Sequence, residues 1–110
     1  MESANFQSDT NVTLDIRNVG GTPVSFQIYQ VKDSSGDIWQ LNNWNPPGQP
    51  LAVNNLIVVN ITIGSGPGGC GNWCQYTGTA AAFTTFQSNK SYTITLTTSR
   101  NNSFAFTVTR

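Results

Sequence analysis

Short segments in which apolar and polar residues alternate with a period of two, turn signals about every 8 to 12 residues and the lack of any convincing helical stretch predict an all-β chain. That pattern fits an immunoglobulin-like antiparallel β-sandwich of about six to eight strands, with a small barrel as the alternative closure. The 110 residues suffice for a single domain, 1–110. Within it, residues 1–10 are polar and read as a flexible lead-in.

In the first strand Val12, Leu14 and Ile16 alternate with Thr13, Asp15 and Arg17, so one side is apolar and the other polar. Asn18-Val19-Gly20-Gly21-Thr22-Pro23 ends it, because paired glycines permit positive φ and proline has no amide to donate. Val24, Phe26 and Ile28 then alternate with Ser25, Gln27 and Tyr29, which assigns the first three to one face of a second strand. Lys32-Asp33-Ser34-Ser35-Gly36-Asp37 has turn chemistry, and 38–41 reads as a short strand.

Residues 42–50, NNWNPPGQP, hold three prolines and a glycine and form a loop that carries Trp44. The segment 51–63 has the most continuous β signal, with Ile57, Val59, Ile61 and Ile63 on one side and Leu56, Val58, Asn60 and Thr62 on the other. Its first half is apolar on both faces, which predicts cover on both sides. Residues 64–78 contain six glycines and read as a surface loop, while 79–87, TAAAFTTFQ, is assigned to a short edge element. Tyr92, Ile94, Leu96 and Thr98, the turn Ser99-Arg100-Asn101-Asn102, and Phe104, Phe106 and Val108 form a β-hairpin.

Composition excludes several functions. The chain has no histidine, which removes Ser-His and Cys-His nucleophile pairs, His-containing zinc sites and an imidazole switch. Five basic residues balance five acidic ones and lie scattered, so there is no positive field for nucleic acid or an anionic membrane. No stretch reaches the roughly 20 apolar residues of a membrane span, and no membrane contact by this segment is expected. Ser, Thr, Asn and Gln supply 44 of the 110 residues, a neutral polar surface that fits an extracellular or cell-surface setting.

Cys70 and Cys74, four apart in a glycine-rich loop, can approach within the roughly 4.4 to 6.8 Å between Cα atoms that a disulfide needs. With no histidine and no further cysteine, neither a metal nor another cofactor is expected. Trp44, Trp73 and Tyr76 are the candidate partner-binding residues, because aromatic faces bury much area at low entropic cost. Tyr29 has the same chemistry. The competing reading makes Trp44 and Trp73 pins folded back on the sheet, with Trp39 a core or sandwich-edge residue. Tyr92 opens the penultimate strand, where sandwich domains use a tyrosine hydroxyl to tie down a neighbouring loop.

Asp33 and Asp37 form the only close carboxylate couple, in what reads as a solvated turn without the apolar pocket that acid catalysis needs. Calcium would want roughly 6 to 8 oxygen ligands, more than this pair supplies. Asn11, Asn60, Asn89 and Asn101 begin N-glycosylation acceptor patterns. Asn11, Asn89 and Asn101 are the candidates and mid-strand Asn60 the least accessible.

The strand ending in Asn18-Val19-Gly20-Gly21-Thr22-Pro23-Val24, the pair Pro47-Gly48, and the run from Tyr92 through Thr98, Asn102 and Phe104 to Val108 together resemble the extracellular immunoglobulin-like domain of archaeal type IV pilin-like surface proteins. Archaellum stator components and adhesion pilins belong to that group. The likeness covers roughly 10–32 and 90–110. It implies a non-enzymatic domain that binds identical subunits, as a homo-oligomer, or the S-layer. It also implies an apolar N-terminal helix ahead of the domain; Met1 and the polar run after it fit an expression start on a trimmed protein and a native start alike. The alternative function is a secreted carbohydrate-binding module in which Trp44, Trp73 and Tyr76 stack on sugar rings.

Overall fold

The computed structural model describes residues 3–18, 20–42, 44, 50–64, 70, 74–79, 83–100 and 102–110. Its strands are β1 (Ser3–Ser8), β2 (Asn11–Arg17), β3 (Phe26–Lys32), β4 (Ile38–Leu41), β5 (Leu56–Thr62), β6 (Cys74–Thr77), β7 (Ser91–Thr98) and β8 (Ser103–Thr109). Among the described residues there is no helix. Two antiparallel sheets of order β1-β2-β5 and β6-β4-β3-β7-β8 share one core. The second strand pairs with the fifth and the third with the seventh, so the chain crosses repeatedly between sheets, as in an immunoglobulin-type sandwich.

Alternation becomes burial. Val12, Leu14 and Ile16 of β2 and Ile57, Val59 and Ile61 of β5 face Tyr29, Val31, Ile94 and Leu96 of the other sheet across the core. Each such side chain contributes about 1.5–3 kcal/mol when fully buried, so a one-residue slip of β2, which would expose three at once, is strongly opposed.

The phase of β3 differs from its sequence pattern. Its register with β7 shifts between Phe26, opposite Thr98, and Ile28, opposite Thr97, leaving Gln27 as the extra residue of a bulge. The bulge moves the inward phase onto Tyr29 and Val31, so Ile28 is only partly buried. Tyr29 is a core residue, and its hydroxyl donates to the Thr62 carbonyl at 2.6 Å.

Four further expectations are corrected. Residues Ser3–Ser8 are not a lead-in but strand β1, paired from Ser3 opposite Asp15 to Phe6 opposite Val12. The ladder holds this polar strand, helped by Phe6 packing edge-on to Phe86 at 5.1 Å. The cysteine-bearing segment ends in a strand, because β6 fills the outer edge of β4 from Leu41 opposite Cys74 to Ile38 opposite Thr77.

The expected edge element over 79–87 has no strand among its described residues. Phe83 and Phe86 are instead buried as plugs, held by Trp39 Nε1–H donating to the Phe83 carbonyl at 2.7 Å and by the Phe86 amide donating to the Asp9 carbonyl at 2.6 Å. Finally, β5 is not covered on both sides: Leu56 and Val58 are 44% and 56% exposed, because nothing described packs on the outer face of the three-stranded sheet.

The turn after β2 is organised by Asn18, which is buried. Its Nδ2 donates to the carbonyls of Thr22 and Leu51 at 2.8 and 3.0 Å, and its Oδ1 accepts from the Gly20 amide at 3.0 Å. Full satisfaction lets a polar side chain sit at the end of the core. The β7–β8 hairpin forms as expected, with the buried Thr98 hydroxyl accepting from the amides of Arg100 and Asn102.

Candidate functional site

Trp44 packs inward. Its amide donates to the Gln27 carbonyl at 2.7 Å, a group that the bulge leaves outside the β3 ladders. Its half-buried ring meets Tyr29 edge-on at 5.1 Å and lies tilted against Phe26 at 5.9 Å. This is the geometry of a pin that closes the core beside β3. The bulge that reverses the β3 phase therefore also anchors Trp44.

Tyr76 stands directly opposite Trp39 in the β4–β6 ladder, with ring centroids 4.8 Å apart, and donates its hydroxyl to the Thr79 carbonyl at 2.5 Å. Desolvation first, and the Asp37 carboxylate second, raise its phenol pKa above the ordinary value. The structure therefore does not bring Trp44 and Tyr76 together as one platform: each packs on a different part of the five-stranded sheet. Trp73 lies outside the described residues.

Cys70 and Cys74 are joined in a disulfide with Cα atoms 5.7 Å apart, and both are buried. The bond ties the first residue of β6 to buried Cys70, and Cys74 itself stands opposite Leu41 in the β4–β6 ladder. Its role here is to fix the edge that carries Tyr76.

The Asp33–Asp37 couple is occupied by backbone. Asp33 Oδ1 accepts from the amides of Ser35 and Asp37 at 3.0 and 2.8 Å, which shapes the β3–β4 turn. Asp37 is not solvated as expected but 6% exposed, and its Oδ1 accepts from the Thr79 amide at 2.9 Å. It is covered because the chain leaving β6 passes directly over it at Gly78, where a Cβ would fall 2.0 Å from Oδ1. The buried carboxylate thus ties the end of β6 to the β3–β4 turn.

Two of the acceptor asparagines, Asn60 and Asn11, differ from expectation. Asn60 is exposed, on the uncovered outer face of β5, and accepts from the Thr13 hydroxyl at 2.9 Å. Asn11 is half-buried, and its Oδ1 is enclosed without a hydrogen-bond partner among the described residues. Asn89 is exposed in a turn at φ 63°. Asn101 lies outside the described residues.

What the fold presents outward is backbone edge and isolated apolar side chains. Strand β5, of sequence LIVVNIT, pairs only with β2 among the described residues. It has no charge and no proline to discourage a further strand, and it carries exposed Leu56 and Val58 beside that open edge. At the rim of the other sheet Phe104 of β8 is 45% exposed. The sequence signal for Leu56 and Val58 was their outward phase in β5, which identified them as a second apolar face without showing that nothing covers it.

No protein-family model matches the chain, and no similar curated protein or solved structure is found.

Proposed function

We propose that this chain is a non-enzymatic interaction domain acting outside the cell, in an archaeal surface filament or its anchor, through contact with identical subunits or with the S-layer. The observation that carries the protein-contact reading is β5, an uncharged edge strand flanked by exposed Leu56 and Val58. Two copies pairing along β5 across a twofold axis would extend the sheet without bringing like charges together. The filament setting comes from the resemblance carried by the strands at the two ends of the chain.

Further support is chemical. The Cys70–Cys74 disulfide suits an oxidising compartment. The closest carboxylates, Asp33 and Asp37, serve as acceptors for backbone amides. The carbohydrate-binding alternative is weakened by Trp44 and Tyr76, whose rings pack against Tyr29 and Trp39.

Sedimentation velocity over a concentration series tests the reading, together with co-sedimentation on isolated S-layer sheets. The expected result is reversible association or S-layer binding that Val58→Lys removes while the melting temperature is kept. A wild-type chain that stays monomeric, ignores S-layer sheets and instead answers glycan titration with a change in tryptophan fluorescence would replace this proposal with the carbohydrate-binding one.

A further inference from the structure

Strand β8, of sequence SFAFTVT, pairs only with β7 among the described residues and has neither charge nor proline to discourage a further strand. The Thr98 amide donates to the Asn102 carbonyl at 2.9 Å and the Arg110 amide to the Lys90 carbonyl at 3.1 Å. In an antiparallel ladder, hydrogen-bonded pairs alternate with non-bonded ones, which puts the bonded pairs at the even-numbered residues of β8. The amides and carbonyls of Ser103, Ala105, Thr107 and Thr109 consequently point to the open edge. Of the other outer strands besides β5, β6 has four residues and β1 carries a bulge between Phe6 and Ser8, so neither offers as long a regular ladder.

The two faces of β8 differ in kind. Val108 is buried, Phe106 half-buried and Phe104 45% exposed, all on the core side. Phe104 and Phe106 wall a groove of about 350 Å³ with Ile16, Val24, Phe26 and Leu51, so the core is open to solvent along this edge. Ser103, Ala105, Thr107 and Thr109, on the other face, are small and exposed.

We infer that β8 pairs with β8 of a second copy of this chain, antiparallel across a twofold axis. In the register that overlaps all seven residues, Phe106 stands opposite Phe106 of the second copy, Phe104 opposite Val108, Ala105 opposite Thr107 and Ser103 opposite Thr109. This register sets the outward amides and carbonyls of the odd-numbered residues against one another, as bonded pairs require. Read against its own reverse, the strand matches apolar with apolar and small with small, with an aromatic pair at the axis. No charged side chain lies within the overlap. Just beyond it, Arg110 would stand opposite Asn102 of the second copy and is already paired with Asp9 at 2.7 Å.

The position of this edge gives the contact a consequence. Arg110, after β8, bonds Asp9, after β1, so β8 lies on the β1 side of the sandwich. Gly64, after β5, has its carbonyl oxygen 3.6 Å from Sγ of Cys70, which is bonded to Cys74 at the start of β6, so β5 lies on the β6 side. A single twofold contact closes at two copies, whereas different twofold contacts on opposite sides leave a free edge at each end, and domains add into an open row. The row rests on the β5 reading given above; β8 pairing does not. One exposed large apolar side chain borders β8 against two at β5, so β8 is the weaker edge and fills at higher protein concentration.

The test is the mean mass of wild type and variants by small-angle X-ray scattering, over a concentration series up to about 0.5 mM. Wild type should pass the dimer and lengthen into rows. Val58→Lys, monomeric where wild type first dimerises through β5, should itself become a dimer towards the top of the series. Ala105→Pro removes an outward amide from each copy while leaving the β7 ladder intact, and Thr107→Lys sets two ammonium groups close together across the axis. Either should stop the otherwise wild-type chain at the β5 dimer. Combined with Val58→Lys, either should weaken β8 dimerisation about tenfold or more, with the circular dichroism spectrum unchanged.

Val58→Lys that stays monomeric at about 0.5 mM overturns the inference, even if its β8 edge then binds a displayed heptapeptide as a foreign strand. Double variants that dimerise as Val58→Lys does also overturn it. A wild type that dimerises equally with and without Val58→Lys, and loses the dimer in Ala105→Pro, overturns the β5 reading and supports this one.

Discussion

The hydroxyl of Tyr92 accepts a hydrogen bond from the amide of Gln87 at 2.7 Å, tying the approach to β7 back onto the strand's own first turn. The ring is buried and stacks on Phe83 at 5.3 Å, so the bond is made at the edge of the core. Tyr92→Phe keeps the stack and leaves the Gln87 amide without this acceptor. The expected loss is about 1–2 kcal/mol in urea unfolding, with the denaturant slope unchanged.

Gly78 sits at φ 142°, against the buried Asp37 carboxylate. Gly78→Ala forces a methyl into space that the carboxylate occupies, and should cost about 2–4 kcal/mol by thermal or urea unfolding. Gly21→Ala, where a Cβ would meet nothing within 4 Å, is the control and should shift stability by no more than about 0.5 kcal/mol.

Trp44→Ala removes a ring that covers Tyr29 and Phe26. Because Trp44 is half-buried, the expected loss is about 2 kcal/mol, below the range for a fully buried tryptophan. Stability should fall while self-association of the folded protein stays as in wild type; a protein equally stable but weaker in association would make Trp44 a contact residue after all.

Reducing the Cys70–Cys74 bond opens a ring whose cysteines are only four apart in sequence, so loop-closure entropy assigns it about 2 kcal/mol. Reduced protein should therefore stay folded at room temperature. Amide hydrogen exchange should accelerate selectively in β6, at residues Cys74–Thr77, and little in β2 or β7.

The buried Tyr29 phenol has its pKa raised above the ordinary value of 10.0, chiefly by desolvation and against the lowering effect of its bonds to Thr62. Its folded pKa exceeds its unfolded one, so the stability linked to this group is present below pH 10.0 and falls as pH climbs towards the raised value. Alkaline titration should show Tyr29 ionising together with loss of near-ultraviolet dichroism, and Tyr29→Phe should lessen that alkaline loss.

Much of the fold was legible in local chemistry. Val12, Leu14 and Ile16 alternate without interruption, and a period of two with one apolar side has one low-energy use, half-burial in a sheet. The hairpin of β7 and β8 and the short strand β4 were legible for the same reason, and Tyr92 because its position at the opening of a clear strand carries a known geometric role. The disulfide followed from spacing in a glycine-rich segment.

Other features depended on neighbours distant in sequence. Nothing local to Gln27 announces a bulge; the extra residue is defined by the pairing with Thr97 and Thr98 across the sheet, and it exchanges Ile28 for Tyr29 in the core. Strand β1 is too polar to signal itself and exists because β2 offers an unpaired edge. The same holds for β6 beside β4.

The fold class, the inward faces of β2, β5 and β7 and the lack of histidine-based chemistry follow from residue type and short-range period alone. Which apolar residues are left outside does not. Leu56, Val58 and Phe104 have the same side-chain chemistry as their buried neighbours. Exposure is set by which sheet faces and strand edges go uncovered when three strands pack against five, a property of the assembled topology that no single segment contains.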